Sequence, residues 1–172
     1  MKKYLFAILI FLFIGCSNDV DYSTREINPG RDICYVCKMI VKDQHYAVQS
    51  IHPNGQVLWF DDIGCLEKLM SKEEWNNTLQ GDSAKIWVGH CETGNWNDAR
   101  TSFYRFGDTT PMGYGYGAIS ELSDTVFTFD QTIERIHNGL TKKNSPLTNR
   151  NEPGEKKMKC QAGKCGEGKC GN

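Results

Sequence analysis

The sequence predicts an α+β fold in which two related β-β-α-type units form one compact domain, and three observations carry that prediction. Apolar and polar residues fill 46–51 and 56–60 in strand-like runs on either side of Pro53-Asn54-Gly55, as a β-hairpin requires. Ile63, Leu66, Leu69 and Met70 then share one helical face behind Asp62, whose side chain suits an N-cap. Strand-like segments followed by a capped helical segment recur in the second half.

Taken in order, the chain opens with Lys2 and Lys3, an apolar stretch over residues 4–14, and Gly15-Cys16, which are the successive parts of a secretory signal. That stretch is about 11 residues long, short of the roughly 20 that span a bilayer, so cleavage is expected. Gly15-Cys16 resembles a bacterial lipoprotein box, with Cys16 as the acylated residue. A polar tether follows. After Cys34 the chain reads as a turn and then a strand, and the hairpin and first helix come next. Ser71 is expected to cap a short second helix through Trp75. Strands are expected at 85–89, 102–106 and 126–129, with a polar turn after the first of them. Asp130 is expected to cap a last helix that runs through Asn138 and is closed by Gly139. Beyond Leu140, Thr, Lys, Asn, Ser, Pro and Gly replace the apolar pattern. The organisation expected is a signal peptide at 1–15, a tether at 16–29, a folded domain at 30–140, a linker at 141–157 and a Cys-rich tail at 158–172.

The 172 residues carry 20 Lys and Arg against 21 Asp and Glu, a net charge of −1 that offers no footprint for nucleic acid. Of the eight cysteines, Cys16 belongs to the export signal. The remainder is odd in number, although disulfide frameworks in an oxidising compartment pair evenly, so thiols are left to be explained.

Cys34-Tyr35-Val36-Cys37-Lys38-Met39 is the sharpest motif. Two thiols three apart can converge on one ion across a tight turn, and a strand after Cys37 would place Cys37 and Met39 on one face. Thiolate and thioether sulfurs are soft, and that mixture favours Cu(I) over zinc. A bare CxxC also serves zinc half-sites, redox pairs and disulfides; the redox reading expects a helix N-terminus, where turn and strand are read here. Thr110-Pro111-Met112-Gly113-Tyr114-Gly115 presents Met112 on a loop without an apolar stripe to explain it, and lacks the Lys-Ser/Thr ending of a phosphate-binding loop. Cys65 on the first helix reads as a buried thiol and a reserve ligand, and His90 is a further reserve although its adjacency to Cys91 suits joint chelation poorly. In the tail, Lys precedes Cys160, Cys165 and Cys170 at intervals of five residues in a Gly-rich setting that cannot pack a core.

Asp32-Ile33-Cys34-Tyr35-Val36-Cys37-Lys38-Met39-Ile40, then Phe60-Asp61-Asp62-Ile63-Gly64-Cys65, then Trp96-Asn97-Asp98-Ala99-Arg100, then Pro111-Met112-Gly113, resemble the NosL family of lipoprotein copper chaperones in order and approximate spacing. The resemblance covers roughly residues 30–138 and implies a fold similar to organomercurial lyase. It also implies Cu(I) as the cargo, with Cys34, Cys37, Met39 and Met112 as ligands. It further implies a lipid anchor on a bacterial membrane facing the periplasm, a membrane copper or ABC-type transporter as neighbour, and nitrous oxide reductase apo-enzyme as recipient. No catalysis is expected. Lys38 stands where the family has glycine. The tail resembles the EGKCG repeats of exported copper-buffering peptides, which makes Cys160, Cys165 and Cys170 a second candidate site. Copper buffering for tolerance, or thiol-based catalysis of disulfide or organomercurial chemistry, are the alternatives.

Overall fold

The Pro53-Asn54-Gly55 turn joins β1 (Val48–Ile51) to β2 (Val57–Phe60), which pair antiparallel with Val48 opposite Phe60 and Ile51 opposite Val57. Gly55 takes φ +81, open only to a residue without a Cβ penalty. These coordinates are a computed structural model that describes residues 19–122 and 125–145. β3 (Lys85–Gly89) lies against the other edge of β1, and β4 (Trp96–Asp98) completes a four-stranded antiparallel sheet in the order β2-β1-β3-β4. As an inner strand β1 is buried along its whole length, polar residues included. Gln49 is accommodated there because its amide exchanges hydrogen bonds with the backbone of Arg25, the Arg25 N–H donating at 2.9 Å and the Arg25 carbonyl accepting at 3.1 Å. The Trp87 indole N–H likewise donates to the Tyr22 carbonyl, so the stretch read as tether lies against the first sheet from Tyr22 onward.

α1 (Ile63–Met70) begins at Asp62, whose carboxylate accepts the Gly64 N–H, and buries Ile63, Cys65, Leu66 and Leu69. Ser71 ends this helix where a cap for the next one was expected. Its hydroxyl donates to Glu67 Oε1 at 2.6 Å, and α2 (Glu73–Asn77) starts behind Lys72 without a side-chain cap. Packing holds α2 in place instead: Trp75 is fully buried, and a Cβ on Gly81 would stand 2.0 Å from its ring.

β5 (Phe103–Phe106) is the middle strand of a second antiparallel sheet, flanked by β6 (Tyr116–Ile119) and β7 (Val126–Phe127). α3 (Phe129–His137) follows. Its cap is Thr128, in a reciprocal capping box with Gln131, and Asp130 falls in the first turn. Gly139 at φ +76 ends the helix as read from the sequence. α1 and α3 pack together, and Glu67 accepts from His137 Nδ1 across the contact at 3.0 Å. A bridge between His90 and Ala118 joins the two sheets, and Phe60, Leu66, Leu69, Tyr104, Phe129 and Ile136 belong to one core. The architecture is α+β, with two antiparallel sheets and helices.

Two strands, β4 and β6, were not foreseen. β4 is three half-buried residues inside a polar run. β6 is disguised by Gly117, needed because a Cβ there would stand 2.1 Å from Asp108 Oδ2. The strand expected after Cys37 is absent: residues 35–37 form a turn, and only an isolated bridge between Ile33 and Ile40 closes the loop. Cys37 and Met39 therefore do not share a strand face.

Candidate metal centre

Cys34 is placed by three backbone contacts. Its own N–H donates to the Met39 carbonyl at 2.8 Å, its carbonyl accepts the Lys38 N–H at 3.0 Å, and it forms a parallel bridge with Trp59 as Tyr35 N–H donates to the Trp59 carbonyl at 2.7 Å. The turn this closes requires φ +63 at Lys38, the left-handed region that favours glycine. Lysine keeps the turn at a strain of about 1–2 kcal/mol. Its ammonium lies 4.7 Å from the centroid of the Tyr35 ring.

β2 connects this turn to a third cysteine. Trp59 sits beside Cys34, and after Phe60, Asp61 and the cap Asp62 the first turn of α1 carries Cys65, whose N–H donates to the Asp62 carbonyl at 2.9 Å. The sulfurs of Cys34, Cys37 and Cys65 all lie within 4.8 Å of one another. Cys34 and Cys65 are buried and Cys37 is half-buried, so the group is closed on the core side. Among the described residues, Cys34, Cys37, Cys65 and Cys91 are all free thiols.

The electrostatics of the three are unequal. The Cys65 thiol donates to the Cys34 sulfur, which also accepts the backbone N–H groups of Cys37 and Asp61. Against its burial, these donors bring the Cys34 pKa down to about 5. The same interaction, with burial and the neighbouring Cys34 charge, pushes Cys65 far up. Burial raises Cys37. At neutral pH this places the charge of the group on Cys34, with Cys37 and Cys65 as thiols.

Asp62 ties a distant loop to this place. It is buried, and its Oδ2 accepts the Thr110 hydroxyl and, at 3.3 Å, the Met112 N–H. Tyr114 lies over the start of α1, where Gly64 makes room for it: a Cβ there would meet the ring at 2.1 Å. Met112 is half-buried against the core. Pro111, Met39, Lys38, Ile40, Lys42, Asp43 and Asp61 line one open depression of about 520 Å³ beside the turn, with Met39 46% exposed. Met39 thus lies on the solvent side of the turn that carries Cys34 and Cys37, and Met112 sits on the loop held by Asp62.

Of the remaining sequence candidates, His90 lies elsewhere. Its Nδ1 accepts the N–H of Glu92 at 3.2 Å, and it lines a separate depression with Glu92, Thr93 and Arg105. Cys91 is close to that region too, its thiol pushed up to about 11 by burial. Cys16, Cys160, Cys165 and Cys170 lie outside the described residues. Cys65 was only a reserve in the sequence, because nothing local shows that residue 34 adjoins residue 59. The available signal was the Phe60-Asp61-Asp62-Ile63-Gly64-Cys65 block, which starts on β2 and ends on the helix.

Comparison with known proteins adds little to this geometry. No protein-family model and no curated protein matches the chain. Among solved structures, it is similar to the copper chaperone NosL from Shewanella denitrificans, with a TM-score of 0.49 and 14% identity over 64% of this chain and 96% of that one.

Proposed function

We propose that this chain binds Cu(I) as cargo on Cys34, Cys37 and Cys65 and passes it on by ligand exchange, without catalysis. The observation that carries the reading is the meeting of three sulfurs within 4.8 Å, two of them buried, around a thiol already held as thiolate. Soft sulfur ligands in low number suit Cu(I). Cys37 and Cys65 release their protons as they bind. The open depression lined by Met39 and Pro111 gives an incoming ligand a way to the turn that carries Cys34 and Cys37, and Met39 can take a coordination position that a cysteine vacates during transfer.

The ordered motif blocks support a finer reading, in which the chain is an exported lipoprotein anchored at Cys16 and facing the periplasm. In that reading it collects copper near a membrane transporter and supplies nitrous oxide reductase apo-enzyme. Among the described residues no helix is long and apolar enough to cross a membrane. Two measurements test the proposal. The reduced full chain is titrated against a chromogenic Cu(I) chelator, where Cys34→Ser, Cys37→Ser and Cys65→Ser each weaken binding and Cys91→Ser does not; unchanged binding in Cys65→Ser would exclude the three-sulfur site. Copper-loaded chain is then incubated with apo nitrous oxide reductase, where failure to load the enzyme removes the proposed recipient.

One observation favours a second reading. A depressed thiol beside a second thiol is also what a thiol-disulfide enzyme uses. Turnover of a disulfide or organomercurial substrate by metal-free protein would select it.

A further inference from the structure

We infer that the open depression beside the Cys34 turn seats an arginine side chain of the protein that exchanges copper with this chain, gripped by the carboxylate of Asp61. This deepens the proposed function and rests on it for the identity of the partner. The observation that carries it is a buried carboxylate without a counter-charge. Asp61 is 4% exposed and lines the depression, between the end of β2 and the cap of α1. Among the described residues nothing donates to its carboxylate, which meets burial and the negative charges of Cys34 and Asp43. The adjacent Asp62 carboxylate, by contrast, accepts from Gly64, Thr110 and Met112. Buried carboxylates are ordinarily paired or hydrogen-bonded, because their lost hydration is otherwise uncompensated. Asp61 also adjoins the thiol group, since its N–H donates to the Cys34 sulfur.

The cations that border the depression do not answer this charge. Lys38 has its ammonium over the Tyr35 ring, and Lys42 is exposed at the rim without pairing to Asp61. A metal ion suits the place poorly. Asp43, the other carboxylate of the lining, has Oδ1 engaged by His45 at 3.0 Å. Among the described residues, the three thiols are the one group of Cys, His, Asp or Glu side chains close enough for three to share an ion.

A guanidinium fits what is present. It meets a carboxylate with two parallel N–H donors, stays charged, and is more weakly hydrated than an ammonium. Its aliphatic stem matches the walls, where Met39, Ile40 and Pro111 line the same space as Asp61. At about 520 Å³ the depression has the size of a small-ligand cleft. Ile33 stands opposite Ile40 in an isolated bridge, and both are exposed together with Met39. A free solute would leave that apolar rim wet, whereas a protein surface covers it. An arginine seated there holds the partner against the turn of Cys34 and Cys37, and leaves a positive charge beside Cys34 as the ion departs.

The test uses two probes that differ in one charge: N-acetylarginine methylamide and its citrulline analogue, in which a neutral urea replaces the guanidinium. Each is titrated into the reduced, metal-free full chain and followed by amide chemical shifts. The arginine probe is expected to shift Met39, Ile40 and Asp61 and to bind at least about fivefold more tightly than the citrulline probe. Asp61→Asn, which keeps the backbone N–H to Cys34, is expected to abolish that preference, and Asp43→Asn to retain most of it. Equal binding of the two probes, shifts centred elsewhere, or a preference intact in Asp61→Asn overturns the inference. The shift map decides this even where the variant fails to fold. N-acetyllysine methylamide bound as tightly as the arginine probe overturns the assignment to arginine.

The role in copper exchange is read separately, as the rate at which copper-loaded chain gives Cu(I) to two peptides with the same cysteine pair, one with arginine beside it and one with citrulline. In each transfer a peptide thiol gives up its proton and forms a Cu–S bond, a Cu–S bond to the chain breaks, and the freed sulfur takes up a proton. Copper stays Cu(I). Arginine is expected to speed transfer about fivefold in the wild type and not in Asp61→Asn; equal rates in the wild type overturn the partner. A chain that binds no Cu(I) overturns the proposed function and the copper-exchanging partner with it, while the metal-free titration still shows whether Asp61 seats a guanidinium.

Discussion

Cys34 shows how little of a thiol's chemistry resides in its own type. An ordinary cysteine is mostly protonated at neutral pH, yet here Cys65 S–H and the N–H groups of Cys37 and Asp61 converge on its sulfur and hold it ionised. The neighbouring Lys38 has its ammonium over the Tyr35 ring. Cys65→Ala is therefore expected to move the Cys34 titration upward from about 5, followed as thiolate absorbance in reduced, metal-free protein. An unmoved titration would leave the shift to the backbone donors alone. The turn supplies a second residue-scale outcome: Lys38→Gly relieves the left-handed strain and is expected to raise stability by about 1 kcal/mol in denaturant unfolding, whereas Lys38→Ala keeps it.

The N-terminus of α1 is the element on which the site is assembled. Asp62 caps the helix, holds the Met112 loop through Thr110 and Met112, and precedes Cys65 by less than one turn. Burial raises its carboxyl from the ordinary 3.8 to about 6, in spite of the hydrogen bonds that favour the charged form. The folded state thus binds a proton more tightly than the unfolded chain, so this group's stabilisation is complete below about pH 4 and is lost as pH rises through about 6. The loss amounts to about 3 kcal/mol. Stability of the wild type minus that of Asp62→Asn, measured by denaturant unfolding across this range, is expected to fall as pH rises; the subtraction cancels the opposite contribution of Cys34. A flat difference would show that Asp62 titrates as it does in the unfolded chain.

At the scale of the molecule, two sheets are held in one body by the packing of α1 on α3 and by a core shared between them. Ile136 of α3 is buried in that core. Ile136→Ala is expected to cost about 2–5 kcal/mol, and because α1 carries Cys65, hydrogen exchange should report loosening of α1 in the first half as well as of α3. Exchange confined to α3 would mean that the halves behave independently. Copper affinity is expected to follow the same coupling, since Cys34 and Cys65 reach each other only while β2 and α1 stay packed.

The sequence by itself determined what local rules can reach. The hairpin register follows from the Pro53-Asn54-Gly55 turn, α1 from its apolar face and Asp62, and the close of α3 from Gly139. It also singled out Cys34 and Cys37, because a CxxC turn needs no distant partner. Tertiary structure decided the rest. β6 was hidden because Gly117 answers to Asp108 and not to strand propensity. Ser71 closes α1 because Glu67 is turned toward it. Cys65 joins the thiol group only through the bridge between Cys34 and Trp59, a contact across twenty-five positions that no periodicity encodes. Local spacing can propose two ligands, but closing a metal site takes a third from a segment brought in by the sheet.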